Sequence, residues 1–440
     1  MKKLLTLCTL CSSLLFGSTI SNEPLSTSLV VYNSNLALVH EKRELYLDKD
    51  RSTIIYNGVA SNIITDSVNI SLPNSVTLFS QQYRYDKLEL SKLLQKNIGE
   101  EVRYEEDKAI LLSFSGQNAI VKNERGHIYS VDAKKLSFLS IPSTLIMKPS
   151  LVWNLYSPKK MRQDISVDYL VKGISWKSDY ILRIENDKAD LTGWITIDNR
   201  SGKAYVDSKL SVLAGDVAVN TPLYKQRAYD MLAEKAAPMT DVTTAPLQGY
   251  HIYSIPFKVT LADNEKTQIK FIQKNSIAID KLYSAIMSNP NYLNQKREHQ
   301  VDQTITFKNK DYELPKGVIR TYTKFQDDTV FIGEANIAHT PKNDTVKITI
   351  GKAFDIKASE SIVRRTAAKS FLDEELLYSV KNSTDKTKTV TLKVPFVKNE
   401  NAKVITSQAH SFQDGYIVFD LHVKANSEEK FKVRYEIKRY

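Results

Sequence analysis

The sequence predicts a mainly β protein: an N-terminal β domain with one short helix, followed by immunoglobulin-like β-sandwich domains. Three observations predict it. Short apolar runs with period-two alternation recur along the chain, separated by Asn, Gly, Asp and Ser turns. Tyrosine outnumbers phenylalanine, 23 to 15, and suits pleated, half-exposed surfaces. Two sets of hairpins, one between Trp194 and Phe271 and one between Leu377 and Ile437, repeat one plan. A chain of 440 residues exceeds a single ordinary core, so several domains are expected.

The first segment reads as an export leader over residues 1–21. Lys2 and Lys3 precede an apolar run from Leu4 to Phe16, and Gly17, Ser18, Thr19 and Ser21 supply small residues for cleavage. The run is short for a membrane span, and no later stretch approaches 18 apolar residues. Both cysteines, Cys8 and Cys11, fall inside the leader, and Leu10 stands where a lipobox needs a small residue. The mature chain is therefore expected to hold no disulfide, thiol nucleophile or thiolate metal site. Expected localisation is periplasmic or outer-membrane associated, with no transmembrane span after cleavage. The formal net charge of +11 is spread along the chain, in clusters no larger than Lys159-Lys160-Met161-Arg162 and Arg364-Arg365 with Lys369. Such diffuse charge fits solubility or an anionic surface, and no nucleic-acid module is recognisable.

Taken in order, residues 22–147 form the N-terminal β domain. Leu29-Val30-Val31-Tyr32, Leu36 to Val39 and Leu45-Tyr46-Leu47 read as strands, with a turn at Asn33-Ser34-Asn35. Ser52 to Tyr56 follows, closed by the hairpin dipeptide Asn57-Gly58. A helix is expected near 86–98: Leu90, Leu93, Leu94 and Ile98 share a face, Asp86 with Glu89 resembles a capping box, and Gly99 is the stop. Five short strands from Val102 to Ile141 then suggest a small barrel or sheet. Pro142 and Pro149 mark the boundary.

Residues 148–275 read as the first sandwich, 276–350 as a connecting β segment and 351–440 as the second sandwich. In the first, Trp194 to Asn199 runs through polar residues to Lys209–Leu213, and Ile255–Leu261 turns through Ala262-Asp263-Asn264-Glu265 to Ile269–Phe271. In the second, Leu377 to Asn382 runs to Thr389–Val394, and Ile417–Val423 turns through Ala425-Asn426-Ser427-Glu428 to Phe431–Ile437. The longer spacing in the first copy fits a flexible insertion at 221–248, rich in Ala, Thr and Pro, without strand alternation. In the last strand Phe431, Val433, Tyr435 and Ile437 alternate with charged residues, as in a half-buried antiparallel strand; those charges argue against a membrane barrel.

No motif in the chain specifies a reaction. The seven histidines lack metal-ligand spacing, and no phosphate loop, dinucleotide fingerprint or nucleophile elbow occurs. Ser383-Thr384-Asp385-Lys386 matches a Ser-x-x-Lys pattern but falls in an expected turn. Glu105-Glu106-Asp107 and Asp373-Glu374-Glu375 are expected as solvated turns, since neighbours on a strand point to opposite faces. No cofactor and no metal site are expected. The candidate binding or structural residues are Trp153, Trp176, Asp179, Trp194 and Asp216. The tryptophans could form a glycan platform but suit sandwich cores better, and Asp179 and Asp216 suit ties to loop backbone.

The most specified stretch of the chain carries a resemblance. Lys148-Pro149-Ser150-Leu151-Val152-Trp153, Gly173-Ile174-Ser175-Trp176-Lys177-Ser178-Asp179-Tyr180, Gly193-Trp194 and Ala214-Gly215-Asp216 resemble the bacterial domain-of-unknown-function 4139 family. So do Leu314-Pro315-Lys316-Gly317 with Arg320-Thr321-Tyr322, Gly333-Glu334 with His339-Thr340-Pro341, and Gly351-Lys352-Ala353-Phe354-Asp355; the N-terminal stretch Tyr32 to Val39 and the Tyr85 to Gly99 helix also fit, so the resemblance covers nearly the whole mature chain. It implies an exported, β-rich envelope protein, related to the C-terminal part of mucoidy inhibitors, and transfers no catalytic residue. The resulting expectation is a non-enzymatic protein whose sandwich edges meet an envelope protein or glycan. The alternative is a hydrolase of envelope polymers with carboxylates from separate loops. The sequence does not specify an oligomeric state.

Overall fold

The computed structural model describes residues 18–21, 23–141, 145–215, 243–247, 250–310, 312–396 and 401–438. The protein is mainly β, and among the described residues it has one α-helix, Leu90–Lys96. The chain divides into two compact units, Met1–Trp176 with Ile197–Thr267, and Lys177–Thr196 with Gln268–Tyr440.

The core of the first unit follows from one long strand, Leu36–Leu47. It forms a hairpin with Ser26–Tyr32 and pairs along its whole length with Met161–Lys172, from Leu36 opposite Lys172 to Leu47 opposite Met161. Tyr205–Ala214 joins parallel to Ser26–Tyr32, with Lys209 opposite Ser28. Odd-numbered residues from Ala37 to Leu47 point inward. A second sheet orders Ser18–Ile20, Asp50–Asn57, Ser150–Ser157 and Thr77–Arg84. Its Tyr56 reaches across to Glu41 of the first sheet, so the two sheets enclose one core.

The five short strands of the N-terminal region form one antiparallel sheet, Glu101–Tyr104 to Leu136–Phe138, with Leu94 of the helix packed on its apolar side. The helix is shorter than its sequence suggested. Asp86 does not cap it: its carboxylate accepts from the Ile146 backbone N–H at 3.1 Å, and Glu89 holds the N-cap position without a side-chain bond. Gly58 turns with φ +72 but makes no hairpin, because Asp50–Asn57 pairs with Ser150–Ser157 instead.

The second unit contains a nine-stranded sheet that curls into two layers. Phe419 of Tyr416–Val423 lies 4.9 Å from Phe431 of Ser427–Lys438 and 6.3 Å from Tyr378 of Phe371–Asn382, although their strands are far apart in the sheet order. Phe431, Val433 and Tyr435 are buried as the alternation predicts, and Asp414-Gly415 makes the expected tight turn with positive φ at both residues. Ile174–Glu185, Lys188–Asn199, Gly317–Phe325 and Asp328–Ile337 belong, with Glu265–Ala278, to a five-stranded sheet.

The repeated hairpin plan rests on a buried asparagine at each corner. Asn199 donates to the carbonyls of Lys203, Leu261 and Ala262, while its own oxygen accepts from Ser201. Asn382 donates to Lys386, Val423 and Lys424 and accepts from Thr384. A third corner, absent from the sequence reading, stands in the 276–350 segment: Asn309 donates to the carbonyls of Tyr312, Thr340 and Pro341. A single amide thus shares its two N–H donors among three carbonyls that leave their ladders at a turn, where an unpaired buried carbonyl would be costly.

Other boundaries change as well. The division expected at 147/148 separates strands that pair, since Ser26–Leu47 lies in one sheet with Met161–Lys172 and Tyr205–Ala214. The segment 276–350 is no connector either, because Arg297–Lys308 lies centrally in the nine-stranded sheet. Most of the 221–248 insertion, and residues 1–17 of the expected leader, lie outside the described residues. The described end of that insertion, Thr243–Leu247, is a strand paired with Tyr250–Ser254 rather than an excursion without strands.

Candidate functional site

Period-two alternation along Leu36–Leu47 brings two charged residues into an apolar core: Glu41 is 0% and Arg43 2% exposed. They are held by a network of tyrosines. One Glu41 oxygen accepts from Arg43 Nε (3.1 Å), Arg43 Nη2 (2.5 Å) and the Tyr56 hydroxyl (3.0 Å). The other accepts from the Tyr169 hydroxyl (3.1 Å) and from Lys203 Nζ. Arg43 also donates to Ser21 Oγ and to the Asn57 carbonyl, and its guanidinium lies 3.9 Å from the centre of the Tyr56 ring.

One carboxylate therefore stands between two cations. Burial alone would raise the Glu41 pKa; Lys203 and Arg43 overcome that and hold it at about 2. Burial pulls Lys203 below its ordinary value even though Glu41 pushes it up. The two directions compete for the same contact. Both cations act on Glu41 in one sense, whereas Glu41 and Arg43 act oppositely on Lys203. Tyr56, Tyr169 and Tyr205 are pushed above the ordinary phenol range, first by burial and then by neighbours that include Glu41. Both Glu41 oxygens are saturated with donors and neither faces solvent, so the network can position strands but cannot reach a substrate.

The second unit holds a comparable cluster. Glu360 and Glu374 are each 0% exposed. Glu360 accepts from His299 Nε2 (2.7 Å) and the Ser288 backbone N–H (3.0 Å), and Glu374 pairs with Arg365. The Tyr378 and Tyr435 hydroxyls meet at 3.0 Å. This corrects the expectation of a solvated turn at Asp373-Glu374-Glu375. These residues lie in the strand Phe371–Asn382 opposite Arg364 and Arg365, so Glu374 is drawn inward to Arg365 while Asp373 bonds Arg434 at 2.8 Å and 2.9 Å. The basic pair Arg364-Arg365 is likewise committed to ion pairs rather than free for an anionic surface.

Open chemistry lies elsewhere. In the first unit a cleft of about 720 Å³ is lined by Asn35, Asn62, Lys172, Ser175, Asp198 and Arg200, among others. Its walls are stapled by backbone: Arg200 N–H donates to Gly173 O (2.6 Å), Lys172 N–H to Asn62 O (3.0 Å), and Asn62 Nδ2 to Arg200 O (2.8 Å). A Cβ on Gly173 would lie 2.5 Å from Arg200 O, which gives the glycine of the Gly173–Tyr180 motif its physical reason. Asp198 is paired with Arg200 at 3.1 Å and Lys266 at 3.7 Å. In the second unit a cleft of about 590 Å³ is lined by Glu185, Asp187, Asp190 and Tyr322, among others. Asp190 accepts there from the Ser276 backbone N–H at 2.8 Å. Among the described residues no group of three or more His, Cys, Asp or Glu is arranged to hold a metal ion.

The residues singled out from the sequence are distributed over both units. Trp153 is fully buried in the first, 4.9 Å from the Tyr56 ring, with its indole N–H on Gln81 Oε1 at 2.9 Å. Trp176, also in the first, donates to the Leu213 carbonyl at 3.0 Å beside Tyr253. Trp194 in the second unit is half-buried, one residue from Gly193, where a Cβ would strike Ile272 and Phe271. Asp179 binds side chains rather than the loop backbone expected: Lys177 at 3.1 Å, Thr196 at 3.2 Å and Arg320 at 3.4 Å. Asp216 lies outside the described residues. Sequence reading missed Glu41 and Arg43, although extending the alternation from Val39 to Leu45 would have placed both inside. Comparison of the chain with protein-family models and with curated proteins finds no match.

Proposed function

We propose that this is an exported, envelope-associated protein of immunoglobulin-like sandwiches, similar to the domain-of-unknown-function 4139 family, that works by binding rather than by catalysis. One observation carries the reading. The residues held farthest from their ordinary pKa, including Glu41, Tyr56, Tyr169, Tyr378 and Tyr435, lie in sandwich cores, and none of them lines either cleft. Catalytic acids and bases with tuned pKa values have to face the space where substrate sits. The polar cleft around Lys172 and Arg200 is the surface we assign to a protein or glycan partner.

The test is a crosslinking pull-down from fractionated envelopes with the mature chain and with the double variant Lys172→Glu, Arg200→Glu. A partner captured by the first and lost in the second supports binding at this cleft. Equal capture by both removes the cleft from the account.

A hydrolase of envelope polymers is the second reading, favoured by the carboxylates Glu185, Asp187 and Asp190 around one opening. Turnover of a glycan or peptide substrate that disappears in Asp187→Asn, with the fold intact, would establish it in place of the first.

A further inference from the structure

The leader expected from sequence ends at residue 21, but the structure uses residues before that point. Ser18–Ile20 is a strand, paired parallel with Asp50–Asn57 in the register Ser18 to Thr53, Thr19 to Ile54 and Ile20 to Ile55. It forms one edge of the four-stranded sheet, and Asp50–Asn57 has Ser150–Ser157 on its other side. The Ser21 N–H continues the ladder to the Ile55 carbonyl at 2.9 Å. Ser21 is 7% exposed, and its hydroxyl accepts from Arg43 Nη1 at 3.3 Å, at the wall of the buried Glu41 network.

Removal of residues 1–21 would strip this edge strand, expose the ladder groups of Asp50–Asn57 and take a polar partner from a buried guanidinium. An open edge of that kind is a template for aggregation, and a lost partner in the core is costly. A leader is discarded by design and holds no part of the folded domain. The two demands agree if cleavage falls four residues earlier, where Gly17 and Ser18 follow the apolar run Leu4–Phe16 directly.

We propose that the leader peptidase cuts between Gly17 and Ser18, so that the mature chain begins with Ser18 and keeps Ser18–Ser21 as its edge strand and core tie. The step is a peptide hydrolysis. The bond from the Gly17 carbonyl carbon to the Ser18 nitrogen breaks, water supplies the hydroxyl to Gly17 and a proton to Ser18, and the new ammonium stands at the start of the strand.

The inference rests on the export reading, and its test separates the two. The full chain is produced in a Gram-negative host, the envelope fraction is purified, and the protein is read by intact mass and N-terminal sequencing. A chain starting Ser-Thr-Ile-Ser supports the proposal. A start at Asn22, or at any other internal residue, overturns it while leaving export in place; retention of Met1 in the envelope protein overturns cleavage, and recovery of the chain from the cytoplasm alone overturns export itself. A second measurement compares chains beginning at Ser18 and at Asn22, both made without a leader. The shorter chain is expected to melt several degrees lower, and equal melting temperatures overturn the structural role of Ser18–Ser21.

Discussion

Replacing Glu41 by Gln removes the one anion that two buried cations share. The size of the effect follows from the network. Glu41 is held at about 2 against an ordinary 4.5, and a displacement of that size corresponds to about 3 kcal/mol in favour of the folded, ionised form. Breaking a buried ion pair by removing one partner costs about 3–5 kcal/mol, which agrees. For a domain of 150–250 residues about 1 kcal/mol lowers the melting temperature by about 2–4 °C, so Glu41→Gln should lower it by about 6–12 °C at pH 7. The pH dependence gives the cause. The folded value is depressed, so the carboxylate's contribution is present above pH 4.5 and is lost as pH falls towards about 2. The gap between wild type and variant should be flat above about pH 5 and close to about 1 kcal/mol near pH 3. Urea unfolding followed by tryptophan fluorescence measures it, because Trp153 packs on Tyr56, itself a Glu41 donor. A gap below about 1 kcal/mol at pH 7, or one unchanged at pH 3, would refute the reasoning. Lys203→Met should cost less than Glu41→Gln, since Glu41 keeps Arg43 and burial already disfavours the Lys203 charge.

Three further outcomes are expected. Asn382→Ala should cost about 2–4 kcal/mol in denaturant unfolding, because three carbonyls lose their shared donor; a cost under about 0.5 kcal/mol would contradict the corner's role. Gly173→Ala should destabilise by about 2 kcal/mol or more, since its φ is +89 and the added Cβ meets Arg200 O at 2.5 Å; an unchanged melting temperature would show that the backbone yields there. His40→Gln should change stability by less than about 1 kcal/mol, because the His40–Asp168 pair at 2.6 Å is 43% and 33% exposed; a larger loss would mean that the pair acts as part of the core.

The fold was legible where the information is local. Alternation placed the strand Ser427–Lys438 and the five short strands from Glu101 to Phe138, and the echo of Asn199 in Asn382 pointed to two corners that the structure builds alike. Long-range pairing was not legible. Nothing near Ser26 announces that its strand will lie parallel to Tyr205–Ala214, so the domain boundaries fell in the wrong places. Charge misled in a consistent way. Glu374 and Arg365 read as solvent-facing because charged residues usually are, Glu41 and Arg43 were passed over between two strands, and a pair that neutralises itself in a core leaves no mark in composition. Asn309 escaped notice because its corner lacks the hairpin echo that marks the other two. The indole N–H groups of Trp153 and Trp176 find internal acceptors, Gln81 Oε1 and the Leu213 carbonyl.

The central claim is that the ionisable network is structural and that function lies in binding at the open cleft. The most direct measurement places a photo-crosslinking residue at position 172, on the wall of that cleft, and a control at the exposed Phe354, which is 89% exposed and outside it. The account predicts one envelope component captured from position 172 and not from position 354, with capture abolished by Arg200→Glu and unaffected by Asp187→Asn. Capture from neither position, together with substrate turnover that Asp187→Asn abolishes, would contradict it.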